Sequence, residues 1–391
     1  MKFLHCSDLH LGKKPSFGSE IFKNKRFDDY FYAFDRIIEQ AKDNNVDAIF
    51  VAGDFFDKKE THPNILGNTE NLLQKCKEYN IEVIVVEGNH DLIYKDKESE
   101  SWIIYLVEKK LLKRPSKYHP IVINDIEIYG LGYPGASVDD ELIEFANFCN
   151  ENNKQNCILL VHTALGNNEF IGGFLKDKTV LDKVQDYVTY IAGGHSHRLD
   201  IYPKENPFFF VPGAPEYFDL GEIPTLKTVI IFDTDTKKYK IITQNPRNCI
   251  KKNIELKSIN QNDFREEFND FISSFEFTSE DIVMLKIKST VGCFLPDIKW
   301  AENFILGKGA LFAKVELEKD NFRIGSASVI RKSVEEIELE QIKKWEQWGK
   351  VAEMGAKALA EMRKCAANGH EDIGSIFDQI LNSVMAGKDE N

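Results

Sequence analysis

At 391 residues with a 42% hydrophobic share, the chain is longer than one ordinary domain, and two domains with a helical appendix are expected. No apolar run approaches 18 residues and the N-terminal strand turns polar at His5, which argues against a membrane span and a secretory leader; seven cysteines without close pairing or zinc spacing read as reduced core thiols of a cytoplasmic protein. A net charge of −13 counts against the bulk electrostatic attraction of a simple nucleic-acid binder, though not against a metal-lined site that holds phosphate locally.

Residues 1–6 read as a strand, followed by the loop Ser7-Asp8-Leu9-His10-Leu11-Gly12. Apolar residues at Phe27, Tyr30, Phe31, Phe34, Ile37, Ile38 and Ala41 predict a helix over residues 27–42, with Lys23, Lys25 and Arg26 just ahead of it. A second strand over 48–52 ends in Gly53-Asp54-Phe55-Phe56-Asp57. A helix over 64–79 and a strand over 81–86 lead to Gly88-Asn89-His90-Asp91. Next come a helix over 102–112, a hairpin over 121–129 turning at Asn124-Asp125, and a helix over 139–150. The strand over 157–161 ends at His162, and that over 190–192 at Gly194-His195-Ser196-His197. Residues 208–211 run as a strand into Pro212-Gly213-Ala214-Pro215, and 229–232 and 239–243 form a closing antiparallel pair. Strands alternating with helices predict an α/β sheet covered by helices on both faces, with ligands beyond the carboxyl ends of the strands. Five times a short apolar strand ends there in a residue able to ligate a metal.

Two carboxylates, an amide and three or four imidazoles on one edge suit two divalent cations. The mixed oxygen and nitrogen donors favour Mn²⁺, Fe²⁺ or Zn²⁺ over Mg²⁺ or Ca²⁺. Two metals about 3.5–4 Å apart need a bridging ligand, which a carboxylate supplies best. No G-x-S-x-G elbow, P-loop or dinucleotide glycine fingerprint competes with this reading. His5 alternates with apolar strand neighbours and reads as structural, and Asp57 as an outer partner of a ligand. The basic cluster Lys23, Lys25 and Arg26 reads either as a solvated face or as a grip on a DNA backbone.

Asp8-x-His10, Gly53-Asp54-x-x-Asp57, Gly88-Asn89-His90-Asp91, His162 and Gly194-His195-x-His197 resemble, in order, the motifs of the calcineurin-like metallophosphoesterase superfamily. The opening Leu4-His5-Cys6-Ser7-Asp8-Leu9-His10-Leu11-Gly12 is similar to that of the SbcD-type DNA repair nucleases. The resemblance covers about the first 220 residues and implies a sheet sandwich with flanking helices. It further implies that Asp8, His10, Asp54 and His197 hold one metal and that Asp54, Asn89, His162 and His195 hold the other, with Asp54 bridging. Manganese is the expected ion. His90 would stabilise the transition state, with Asp91 orienting it.

Superfamily motifs do not fix the substrate, so the later residues matter. Strands at 253–256, 282–287 and 311–317 with helices over 262–275 and 296–304 suggest a small α+β unit. The expected division is a phosphoesterase domain over 1–250, a capping domain over 251–330 and a helical tail over 331–391. The tail carries Ile337, Ile342, Trp345, Trp348, Val351, Met354 and Leu359, then Ile373, Ile376, Phe377, Ile380, Leu381, Val384 and Met385, near helical spacing. By the resemblance, such helices bind an SMC-like coiled-coil ATPase of the SbcC type; otherwise they pack on their own domain. The expected protein is a metal-dependent exonuclease or endonuclease acting on DNA ends in repair, as a homodimer. The alternatives are a phosphatase or small-molecule phosphodiesterase of the same superfamily, or an interaction scaffold that lost the chemistry.

Overall fold

The computed structural model describes residues 1–92, 101–166, 172–289 and 296–318, so the expected tail over 331–391, and Cys293 and Cys365, lie outside it. In chain order come β1 (Lys2–Cys6), α1 (Glu20–Asp43), β2 (Ala48–Ala52), α2 (Pro63–Glu78), β3 (Glu82–Val86), α3 (Trp102–Glu108), β4 (Ile121–Ile123) and β5 (Ile126–Gly132). They are followed by α4 (Val138–Glu151), β6 (Cys157–Val161), the two-residue strands β7 (Ala164–Leu165) and β8 (Phe174–Leu175), α5 (Thr179–Val184), β9 (Val188–Ala192), β10 (Asp200–Tyr202) and β11 (Phe209–Val211). The last are β12 (Thr228–Asp233), β13 (Lys238–Thr243), β14 (Cys249–Leu256), α6 (Gln261–Ser273), β15 (Ile282–Ser289), α7 (Ile298–Gly307) and β16 (Phe312–Leu317).

The α/β class expected from the alternation holds, and the sheet sandwich implied by the resemblance stands where alternation alone suggested one central sheet. There are two, ordered β13-β12-β1-β2-β3 and β10-β11-β9-β6-β5-β4, stacked face to face. Side-chain alternation sorts the residues between layers. Phe3, Ala48, Phe50, Ala52, Ile84 and Val86 from the first sheet meet Ile158, Leu160, Tyr190, Ala192 and Phe210 from the second. Leu4, Cys6, Ile49, Val51, Val83 and Val85 point the other way, toward Phe34, Ile37, Ile38, Leu73 and Leu106 of α1, α2 and α3. On the far side, Leu159, Val161 and Ile191 meet Leu142, Phe145 and Leu181 of α4 and α5. A strand buried on both faces reads as a continuous apolar run whether its second cover is a helix or another sheet, which is why one sheet was expected. Each buried large apolar side chain contributes about 1.5–3 kcal/mol.

Helix α1 starts seven residues before its expected position. Ser19 caps it by accepting from Phe22 N–H, and Phe22 and Arg26 extend the buried stripe backward. The hairpin turns at Asn124 and Asp125, with φ of 49° and 64°, as a tight two-residue turn requires. Residues 249–317 add a parallel sheet ordered β14-β15-β16, whose Val283, Leu285 and Ile287 pack with Phe264, Phe268 and Ile305 of α6 and α7. All described residues belong to one compact unit, Met1–Lys319. Among them no helix is long and apolar enough to cross a membrane.

Candidate metal centre

The loops leaving β1 and β2 are joined by main-chain hydrogen bonds. The N–H groups of Asp8, His10 and Leu11 donate to the carbonyls of Gly53, Asp54 and Phe55, each at 3.0 Å. That pairing sets Asp8, His10 and Asp54 side by side. It also places unusual backbone: φ is 55° at Asp8, 45° at His10, 50° at Asp54 and 72° at His195. Side-chain-bearing residues rarely sit there, and holding one costs on the order of 1–3 kcal/mol, which is characteristic of functional sites. Close approach completes the arrangement. A Cβ on Gly53 would fall 2.2 Å from His162 Nδ1, and one on Gly88 would fall 2.1 Å from an Asp54 oxygen.

Two groups of donors flank Asp54. In the first, His10 Nε2 and His197 Nε2 are 3.3 Å apart, and His197 Nε2 is 3.9 Å from Asp8 Oδ1. In the second, His162 Nε2 and His195 Nδ1 lie 3.2 and 3.1 Å from Asn89 Oδ1. Asp54 Oδ2 stands between them, 3.7 Å from His10 Nε2 and 3.4 Å from His162 Nε2. The seven residues expected as ligands are thus brought together.

The outer ring nitrogens show what the inner ones carry. His162 Nδ1 faces Ala52 O at 2.7 Å, His195 Nε2 faces Gly172 O at 2.9 Å, and His197 Nδ1 faces Glu222 Oε1 at 2.5 Å. Those oxygens accept only, so each facing nitrogen holds a hydrogen and the opposite nitrogen, in the neutral ring, offers a lone pair inward. Lone pairs, the Asn89 carbonyl and two carboxylates then converge, an arrangement that calls for positive charge at its centre. The His10 Nδ1 atom is also buried without a hydrogen-bond partner. The donor set therefore fits divalent cations.

Electrostatics agree. Burial would raise the Asp54 carboxyl, but His162, His10 and His90 around it hold it well below the usual carboxylate range. Burial would lower His162, yet the Asp54 charge and hydrogen bond push it up to about 9, so without a cation a proton takes that role. His195 falls to about 4, from burial and the neighbouring His162 charge.

His90 adjoins these groups. Its N–H donates to Asp54 Oδ1 at 2.9 Å, and its ring centroid is 4.8 Å from that of His10. Asp91 does not orient it. The Asp91 carboxylate is buried and accepts from three main-chain N–H groups, Gly88 at 2.8 Å, Phe55 at 3.0 Å and Phe56 at 2.8 Å. It ties the loop after β3 to the loop after β2. The His90 ring is held by Asp57 through its carbonyl oxygen, 2.7 Å from Nδ1. The Asp57 side chain lies 3.8 Å from His10 Nδ1 and 3.2 Å from Lys13 Nζ. His5 is structural as expected, bonded to Tyr190 OH at 2.9 Å and Gly193 O at 3.0 Å.

In the basic cluster Lys23 and Lys25 keep to a part-exposed helix face, and Arg26 alone differs from both readings. Lys23, Lys25 and Arg26 lie inside α1 and are paired. Lys23 binds Glu20 at 2.8 Å and Lys25 binds Glu280. Arg26, 3% exposed, binds Asp29 at 2.8 Å, Glu216 at 3.0 Å and the Tyr217 carbonyl at 2.7 Å. A guanidinium so enclosed is part of the core and has no face left for a phosphate backbone.

Sequence reasoning missed the segment 216–227. Phe218 packs its ring 4.5 Å from His10, 4.9 Å from His197 and 6.0 Å from His90, and Lys13 Nζ sits 3.1 Å from its centroid. Glu222 takes the His197 Nδ1–H. Neither residue lies in a motif, and both reach the site only through tertiary folding.

A family model described as calcineurin-like phosphoesterase matches residues 1–199, and the chain belongs to that family. Among curated proteins, it is 25% identical over 321 residues to the DNA double-strand break repair protein Mre11 of Methanosarcina mazei, covering 81% of this chain and 49% of that one. It is 22% identical over 413 aligned positions to the protein of the same name from Archaeoglobus fulgidus, covering 99% and 85%. With that from Methanococcus maripaludis it shares 25% over 280 residues, covering 68% and 72%. The chain spans about half the length of the Methanosarcina relatives.

Proposed function

We propose that this protein is a two-metal DNA nuclease that hydrolyses phosphodiester bonds at DNA ends in repair. The observation that carries the reading is the position of Asp54, whose Oδ2 lies within 3.7 Å of His10 and 3.4 Å of His162, between two sets of donors. Asp8, His10, Asp54 and His197 would hold one divalent ion, and Asp54, Asn89, His162 and His195 the other, with manganese the expected metal. Bound there, such ions acidify a water and neutralise a phosphoryl group under in-line attack. His90, with its Nδ1 engaged by Asp57 O, turns its Nε2 outward to stabilise charge on the phosphoryl oxygens and assist the leaving oxygen. The name of the archaeal relatives supports DNA as the substrate. Residues 251–330 would steer duplex DNA to the site, and the tail over 331–391 would bind an SMC-like coiled-coil ATPase, the whole working as a homodimer.

The test is cleavage of end-labelled linear duplex DNA with Mn²⁺, comparing the wild type with His90→Ala, and bis(p-nitrophenyl) phosphate as a small substrate. Degradation by the wild type and not by the variant supports the reading. Hydrolysis of the small diester alone, even with the ATPase supplied, would remove DNA as the substrate and leave the metal centre.

A further inference from the structure

Glu222 lies 25 residues beyond His197 and outside every motif, yet its carboxylate is fully engaged. Oε1 accepts from His197 Nδ1 at 2.5 Å. Oε2 accepts from Lys227 Nζ at 2.5 Å and from the Phe218 N–H at 3.0 Å. Lys227 is 1% exposed, a burial lysine tolerates only when paired, and its Nζ lies 5.1 Å from the Tyr217 ring centroid. The other two inward-facing histidines on the second sheet are held by main-chain carbonyls, Ala52 O and Gly172 O. His197 alone of the three depends on a side chain for its orientation.

We infer that Glu222, fixed by the buried Lys227, is the positioning residue that sets the tautomer and aim of His197 toward a divalent cation. This rests on the two-metal reading above. The chain of contacts runs in one direction. Lys227 anchors one carboxylate oxygen. The other oxygen accepts the Nδ1 hydrogen, which leaves the Nε2 lone pair directed at His10 Nε2 and Asp8 Oδ1. A carboxylate behind a ligating imidazole also makes the ring a better donor. The same carboxylate fixes the Phe218 amide, so the ring covering His10 and His197 is placed by the group that aims His197. The segment 216–227 is thus a supporting wall of one metal position and not of the other.

The experiment is Mn²⁺ titration of the full chain by calorimetry, with the apo melting temperature measured alongside. Removing Glu222 alone would leave Lys227 buried and unpaired, so the main variant is the double replacement E222M/K227M. Exchanging a buried ion pair for apolar groups of similar volume is often neutral for folding. E222Q/K227M keeps an oxygen acceptor for Nδ1–H without leaving Lys227 buried and unpaired, and serves as the rescue. The wild type should bind two Mn²⁺. The double variant should lose about 10- to 100-fold in affinity at one position, with the other unchanged and the apo melting temperature close to wild type. E222Q/K227M should recover most of that loss. Wild-type affinity at both positions in the double variant would overturn the inference. So would equal weakening of both positions with a lower apo melting temperature, the mark of a purely structural role. A wild type that binds no Mn²⁺ would overturn the two-metal reading itself, before any variant is compared.

Discussion

The two groups of donors in the candidate metal centre are held in different ways. His197 is aimed by a charged side chain, Glu222, itself tied to Lys227. His162 and His195 are aimed by carbonyl oxygens of the main chain. A carbonyl cannot be removed by substitution and its partner depends on the fold alone. A carboxylate can be removed, and its charge also acts on the ring: burial would lower His197, but the Glu222 hydrogen bond and the Asp8 charge raise it, whereas burial and the neighbouring His162 charge lower His195 despite its bond to the Gly172 carbonyl. One half is thus tunable by side chains from a distant loop, and the other is built into the sheet edges.

Asp54 belongs to both halves, so replacing it should erase the difference between them. Asp54→Asn is expected to weaken Mn²⁺ binding at both positions and to reduce hydrolysis by more than the roughly 100-fold upper range for an outer partner. Loss confined to one position would show that Asp54 does not bridge. A narrower break comes from Gly53→Ala. Its Cβ would press on His162 Nδ1, at a φ of 86°, so only the carbonyl-held half should suffer. Destabilisation of about 1–3 kcal/mol is expected in urea unfolding, together with weaker binding at one position. Unchanged stability would mean that the loop yields without cost.

His5 sharpens the comparison at the smallest scale, because both of its nitrogens are used and it has none to offer. Burial lowers it from 6.5 to about 3. Between those values the unfolded chain takes up a proton that the folded one refuses. Stability should therefore fall as pH drops from 6.5 toward 3, by up to about 1.4 kcal/mol per pH unit. His5→Gln should flatten that slope in urea unfolding measured across the window; equal slopes would assign the acid loss to other groups.

Much of this was legible in the sequence because strand ends are local. Val85 and Val86 mark a buried strand, and Asn89 and His90 just beyond it have no packing reason to be there. Asn124-Asp125 announces its turn for the same reason. The two-sheet stacking was not legible from residue pattern, since Phe50 is equally apolar against a helix or against Phe3 and Tyr190. Nor was the pairing of Arg26 with Glu216, 190 positions away, or of His197 with Glu222. Those contacts depend on where a loop lands, and neither carboxylate carries a local signal. Ser19 was the readable exception: a serine cap ahead of Glu20 marks the true start of α1, and the first apolar repeat at Phe27 overshadowed it.

The donors of the centre come from both layers of the sandwich. Asp8, His10, Asp54 and Asn89 follow strands of the first sheet, and His162, His195 and His197 follow strands of the second. Main-chain and side-chain bonds already cross there, from His195 N–H to Asp8 Oδ1 at 3.1 Å and from His162 Nδ1 to Ala52 O. In the proposed loaded state each cation would therefore clasp one layer to the other at the lip of the apolar seam. Ion affinity and the resistance of that lip to parting would then be one quantity, read either as binding or as mechanical strength.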